Sequence, residues 1–207
     1  MVYFSRPFLQ QHLGGGSQVL IVEIRDHSAT PLAKKYAVRR LICPTLKANP
    51  WAPEKPGMNG YMFVGLGNEE NTFIQPEERI LFVGLDEKKF MLAGKYEAKR
   101  VAPLTVMEWA SLSAAVRKGY CEATKRKNKD SRSIEEIHHA YDIGELKVPC
   151  VLLTCLEFDE KFYFELKAKK AVTPPSSGPQ ACKRRRGDDG YDVDQGSQVI
   201  RKAKIED

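Results

Sequence analysis

Two apolar runs separated by four charged residues constrain this chain more than any other feature. Residues 79–85 and 90–97 are rich in Ile, Leu, Phe, Val and Met, and Asp86, Glu87, Lys88 and Lys89 stand between them. A charged break between two strand-length apolar runs predicts a β-hairpin, its second strand extending toward Val101. Other β-like runs lie at 18–24, 36–43 and 60–66. Residues 148–158 and 161–166, joined by Asp159 and Glu160, read as a second hairpin.

Helical signals are fewer. Ser5 can cap a short helix with Pro7 in its first turn and Phe8, Leu9 and Leu13 on one face, and Gly14, Gly15 and Gly16 stop it. Thr105 and Glu108 have capping-box spacing, and Val106, Trp109, Leu112, Val116 and Tyr120 then recur at helical spacing. Ser133 and Glu136 repeat the cap before Ile134, Ile137 and Tyr141. Between 44 and 57, Pro44, Pro50, Pro53 and Pro56 enforce an extended loop that carries Trp51. The fold class expected is α+β: a curved, mostly antiparallel sheet or partly open β-barrel of about six or seven strands with two or three helices.

Composition changes near residue 170. Residues 171–207 hold Pro174, Pro175, Ser176, Ser177 and Gly178, then mixed charges, and read as a disordered tail after a single domain at 1–170. The tail has seven basic and six acidic residues, so it accounts for +1 of the net +6. Within it, Lys183, Arg184, Arg185 and Arg186 resemble a nuclear import signal that an acidic import receptor reads as extended peptide. A nuclear location is expected, with a cytoplasmic one as alternative. No apolar run nears the roughly 20 residues of a membrane span. Five irregularly spaced cysteines read as reduced thiols.

Motifs for chemistry are scarce. The run Gly14 to Gln18 lacks the Lys and the following helix of a phosphate loop. His138 and His139 point about 100° apart on a helix. Glu135 with His138 has the spacing of half a di-iron site whose other half is absent. Cys150 and Cys155, five apart on one strand, face opposite sides. No catalytic residue, metal ligand set or cofactor is therefore assigned. The most lopsided segment is 117–132, where Arg117, Lys118, Lys125, Arg126, Lys127, Lys129 and Arg132 stand against Glu122 and Asp130. Such a run can lie along a phosphate backbone. Trp51 and Tyr61 are the candidate stacking aromatics. Trp109 belongs to the core.

Several short motifs occur in a familiar order: Ser5, Arg6, Pro7, Phe8, Leu9; Gly15, Gly16, Ser17, Gln18; Asn49, Pro50, Trp51, Ala52, Pro53 with Pro56 and Gly57; Gly94, Lys95, Tyr96; and Leu104, Thr105 with Glu108, Trp109. Across roughly residues 1–167 this resembles a domain-of-unknown-function family widespread in basidiomycete fungi. The resemblance implies a fungal origin and brings no activity. A second likeness is to the SET- and RING-associated domains that read modified bases in DNA. It rests on Gly15 to Gln18 leading into a strand, on Tyr61 to Gly65, and on Leu81, Phe82 and Val83 with Gly94 to Glu97. It implies a curved sheet that holds a flipped base. The Tyr-Asp-Gly motif of those domains is missing, so no base pocket is assigned.

Three functions follow in order of preference. The first is a non-enzymatic nuclear module that binds DNA. The second is a protein-interaction domain using the proline-rich loop 44–57. The third is an enzyme whose site is assembled from non-contiguous residues. A clustering of cations on one face separates the first from the second.

Overall fold

The computed structural model describes residues 2–86 and 88–172. Seven strands form one sheet: β1 (Tyr3–Phe4), β2 (Ile21–Glu23), β3 (Arg40–Ile42), β4 (Gly60–Phe63), β5 (Glu77–Gly84), β6 (Phe90–Val101) and β7 (Cys150–Glu157). Their order is β2-β3-β5-β6-β7-β4, and β1 pairs with the start of β6. Every pair is antiparallel except β3 with β5. The expected α+β class and mostly antiparallel sheet hold, with β2 and β4 left as edges.

The first hairpin forms as β5 and β6 in the register Glu77↔Ala98 to Gly84↔Phe90. The second does not. Residues 161–166 belong to the helix α6 (Glu160–Val172). Asp159 accepts the Phe162 backbone N–H at 2.9 Å, a helix N-cap. Phe162 and Leu166, four apart, are the buried residues of the helix. The aromatic cluster at 162–164 reads as a strand, but the cap and the i, i+4 burial decide for helix.

Among the described residues there are six α-helices, against the two or three expected. They are α1 (Arg6–Leu13), α2 (Pro31–Lys35), α3 (Val106–Ser111), α4 (Ala114–Asn128), α5 (Ile134–Asp142) and α6. Helix α2 lies just before the run read as strand 36–43: Thr30 caps it, Pro31 fills its first position and Tyr36 ends it, and within the run only β3 is strand. The helix read through 105–120 is two, because Leu112 is extended and Ser113 caps α4. Both expected capping boxes are present, at Thr105/Glu108 and Ser133/Glu136.

Three apolar clusters hold the sheet. One face of β5, β6 and β7 carries Leu81, Val83, Ala93, Tyr96, Val151 and Leu153. On the opposite face, α1, α2 and α6 cover Leu41, Phe82 and Leu92. Further along that face, α3, α4 and α5 cover Phe63 and Cys150 around Trp109. Cys150 and Cys155 thus serve opposite faces of β7, as their spacing requires.

The motifs shared with the resembled family are largely structural. Buried Arg6 donates to the carbonyls of Gly16, Ser17 and Val19 at 2.7–3.2 Å, so the glycine loop after α1 wraps its guanidinium. Asn49 and Trp51 cover the β4 edge. The Tyr61 N–H donates to the Trp51 carbonyl at 2.7 Å, and the Phe63 N–H to Asn49 Oδ1 at 2.7 Å. Gly60 is required there, since a Cβ would stand 2.6 Å from the Trp51 oxygen.

Burial pushes the Cys43 thiol pKa up to about 12 and those of Cys121 and Cys150 up to about 11. Thiolate is the reactive form. In the folded protein at pH 8, an alkylating reagent is expected to leave these three unmodified while half-buried Cys155 reacts. Peptide mapping of native labelling checks this, and modification of Cys43 as fast as Cys155 would refute it.

Candidate nucleic-acid interface

Most of the basic segment 117–132 is the helix α4, not a loop between helices. Its buried side presents Tyr120, Cys121 and Thr124 to the cluster around Trp109. The packing that fixes this face is aromatic. Trp109 is 2% exposed, and its ring lies 6.2 Å from Tyr120 and 4.8 Å from Tyr141. Its indole N–H donates to Asp142 Oδ1 at 2.8 Å, and His138 Nδ1 lies 2.9 Å from Asp142 Oδ2. Arg117 Nη1 stands 3.7 Å from the same carboxylate. Partial burial pushes the Asp142 pKa up, but Trp109, His138 and Arg117 together outweigh it and leave the pKa below its ordinary value. One carboxylate therefore ties α3, α4 and α5 together.

The seven predicted phosphate contacts divide into two groups. Three cations are engaged within the domain. Arg117 joins the Asp142 hub. Lys127 pairs with Glu69 at 2.6 Å, pinning α4 to the 3-10 turn Gly67–Glu69. Arg132 bridges Asp130 and Glu145, each at 2.8 Å. Hydrogen bonds from Arg132 pull the Asp130 carboxyl down to about 2. The other four, Lys118, Lys125, Arg126 and Lys129, are exposed. Lys125 donates to the Arg132 carbonyl at 2.6 Å, and Lys118, Arg126 and Lys129 have no carboxylate partner among the described residues.

At 100° per residue Lys118, Lys125 and Arg126 fall within an arc of about 100°, opposite Tyr120 and Thr124, and span about 12 Å along the axis, while Lys129 lies past the helix end in a left-handed conformation. Glu122 lies within that arc, and Glu135 shares an open groove with Lys118 and His138. Helix α4 thus offers a short cationic stripe interrupted by Glu122 and bordered by Glu135.

The stacking candidates lie elsewhere. Trp51 is half-buried, its ring 5.4 Å from Phe63, which stands 6.3 Å from Tyr120 on the buried side of α4. Tyr61 is 41% exposed on the edge strand β4. Neither shares the face of the stripe. The proline-rich loop 44–57 is packed down, with Ala52 and Pro53 buried and Glu54, Lys55 and Gly57 exposed. The tetrad Lys183, Arg184, Arg185 and Arg186 lies outside the described residues.

A second cationic face was hidden by the strand reading of 161–166. Helix α6 carries Lys161, Lys167, Lys169 and Lys170, and α2 adds Lys34 and Lys35, against Glu160 and Glu165. Lys35 pairs with Glu165 at 2.5 Å, and Lys170 donates to the Tyr3 carbonyl. The Asp159 cap was the signal that would have revealed this helix and its lysines. No helix among the described residues is long and apolar enough to cross a membrane.

Fold and surface together define an α+β domain with an open seven-stranded sheet and two cationic helices. Residues 3–169 match the family described as domain of unknown function DUF6697, and the chain belongs to it. No curated protein and no solved structure matches the chain.

Proposed function

We propose that this domain is a nucleic-acid-binding module that engages the phosphate backbone through the outward face of α4. The observation that carries the reading is the separation of the basic segment into two groups. Arg117, Lys127 and Arg132 are held by carboxylates, while Lys118, Arg126 and Lys129 are exposed without one among the described residues. A phosphate backbone is a linear array of anions, and three cations along about 12 Å of a rigid helix, with Lys129 just past its end, match that geometry. Backbone contacts carry no sequence information. With no aromatic side chain on the stripe, binding is expected to be indifferent to sequence. DNA is the partner in this reading, and the tetrad at 183–186 delivers the chain to the nucleus by binding an import receptor.

Fluorescence anisotropy of the full chain with duplex DNA across a salt series tests it. Changing Lys118, Lys125, Arg126 and Lys129 together to Ala is expected to lower the log–log salt slope by about 3 to 4, at about 0.9 per lost contact. Changing Arg117 or Lys127 to Ala is expected to alter thermal stability and leave the slope nearly unchanged. A parallel variant with Ala at 183–186 separates the tail's contribution, and one with Ala at 161 and 167 separates that of α6. No binding at low salt, or a slope that only the tail or α6 variant moves, would remove α4 from the role. A preference for cytosine-modified duplex would point to base reading instead.

A further inference from the structure

A cavity of about 340 Å³ opens between the end of α2, strands β3, β5 and β6, and the start of α6, away from the basic stripe. That is within the range of small-ligand sites, at the smaller end. Val38, Ile80, Leu92 and Phe162 give it apolar walls, and Tyr36 stands beside Phe162 with ring centroids 5.1 Å apart.

The backbone around this cavity is irregular in three places. Ala37, in its lining, has φ +51°, a left-handed conformation that is strained for a residue with a Cβ. Strand β6 slips register against β5 next to Leu81/Phe82 and against β7 at Lys95/Tyr96. Between the two slips sits Gly94 at φ +133°, where a Cβ would stand 2.6 Å from the Glu157 carbonyl oxygen. Bulges re-aim side chains and are enriched beside functional sites.

The charges around the cavity are unevenly matched. Each cation in the lining has a carboxylate partner. Arg39 pairs with Asp26, Arg40 with Glu23 and Glu77, Arg79 with the same two acids, and Lys95 with Glu78 at 2.7 Å. Two acids in the lining have no such partner. Glu157 makes no ion pair among the described residues; its charge acts on Lys95, but Glu78 is the acid that pairs with that lysine. Asp159 uses Oδ1 to cap α6, and its Oδ2 has no hydrogen-bond partner among the described residues. Tyr36 already carries one cation on its ring, the Lys35 ammonium 5.2 Å from the centroid.

We propose that this cavity binds an alkylammonium group, its apolar body against Val38, Leu92 and Phe162 and its charge toward Glu157 and Asp159. An anion would have to displace a carboxylate from Arg39, Arg40 or Lys95, and Arg79 Nε, which has no hydrogen-bond partner among the described residues, is buried. A cation meets the Glu157 carboxylate and Asp159 Oδ2, which no ion pair among the described residues holds, beside the rings of Tyr36 and Phe162.

The test is an amide-resolved NMR titration of the full chain with choline and with 3,3-dimethylbutan-1-ol, its uncharged isostere. Choline is expected to shift the amides of Ala37, Lys95 and Phe162 saturably, with the isostere at least tenfold weaker. Changing Glu157 to Gln and Asp159 to Asn, which keeps a capping oxygen, is expected to weaken choline at least tenfold and leave distant amides in place. A third arm, a peptide carrying trimethyl-lysine, separates a free small molecule from a protein side chain as the source of the group. Equal binding of the two isosteres, no saturable shift with choline or the peptide, or undiminished binding by the double variant would each overturn the proposal. The α4 variant is expected to bind choline as the wild type does, so this proposal and the nucleic-acid reading can fail separately.

Discussion

Replacing Trp109 with Ala is expected to remove about 3 to 5 kcal/mol of stability, the usual range for emptying a large buried aromatic site. Total stabilities of such domains run at about 5 to 15 kcal/mol, so this one change consumes much of the reserve. The loss has two sources. One is the ring, packed between Tyr120 and Tyr141. The other is the indole N–H, which holds Asp142 where His138 and Arg117 also meet it. Trp109→Phe separates them. It keeps much of the ring volume and loses the hydrogen bond, a net contribution of about 1 kcal/mol. Urea unfolding of the three proteins measures both steps. If Phe proves as damaging as Ala, the ring is not the main contributor.

The second large effect is expected at Arg100. Its guanidinium donates to the Thr72 carbonyl at 2.7 Å, to those of Glu69 and Glu70 at 3.3 Å, and to that of Val64. It thereby fastens the segment between β4 and β5 to the sheet. Arg100→Leu leaves partly buried carbonyls without a donor and is expected to cost about 3 kcal/mol. Gly65 is part of the same device. A Cβ there would lie 2.4 Å from Arg100 Nη1 and 2.7 Å from the Pro149 Cβ, at φ +141°. Gly65→Ala is expected to cost about 2 kcal/mol or more. The two losses overlap, because the alanine also displaces the arginine. The double variant is expected to fall short of the sum by at least about 1 kcal/mol. Additive losses would mean that the glycine answers to Pro149 and its own backbone alone.

What was legible in the sequence follows the range of the forces involved. The β5–β6 hairpin, the capping boxes and the stop after α1 are local patterns, and all appear as read. Helix α6 was misread because the consecutive aromatics 162–164 suit a strand, while burial of Phe162 and Leu166 depends on α1 and α2 arriving beside them. The basic segment was visible as composition, but its division into paired and exposed cations was not. Lys127 meets Glu69, 58 positions away, and Arg117 meets Asp142 on another helix. The cavity left still less trace, since its lining comes from β3, β5, β6, the end of β7, α6 and the end of α2. Gly94 and Glu157 stood in the sequence without any sign that they would face each other.

The strap over β4 bears on how these molecules behave in each other's company. The N–H groups of Tyr61 and Phe63 are already taken, one by a backbone oxygen of the strap and one by the Asn49 side chain. A neighbouring chain that approached this side would find those two donors spent. Asn49 and Trp51 act as a guard against runaway polymerisation at that border, and a crowded solution is where their loss would first be felt.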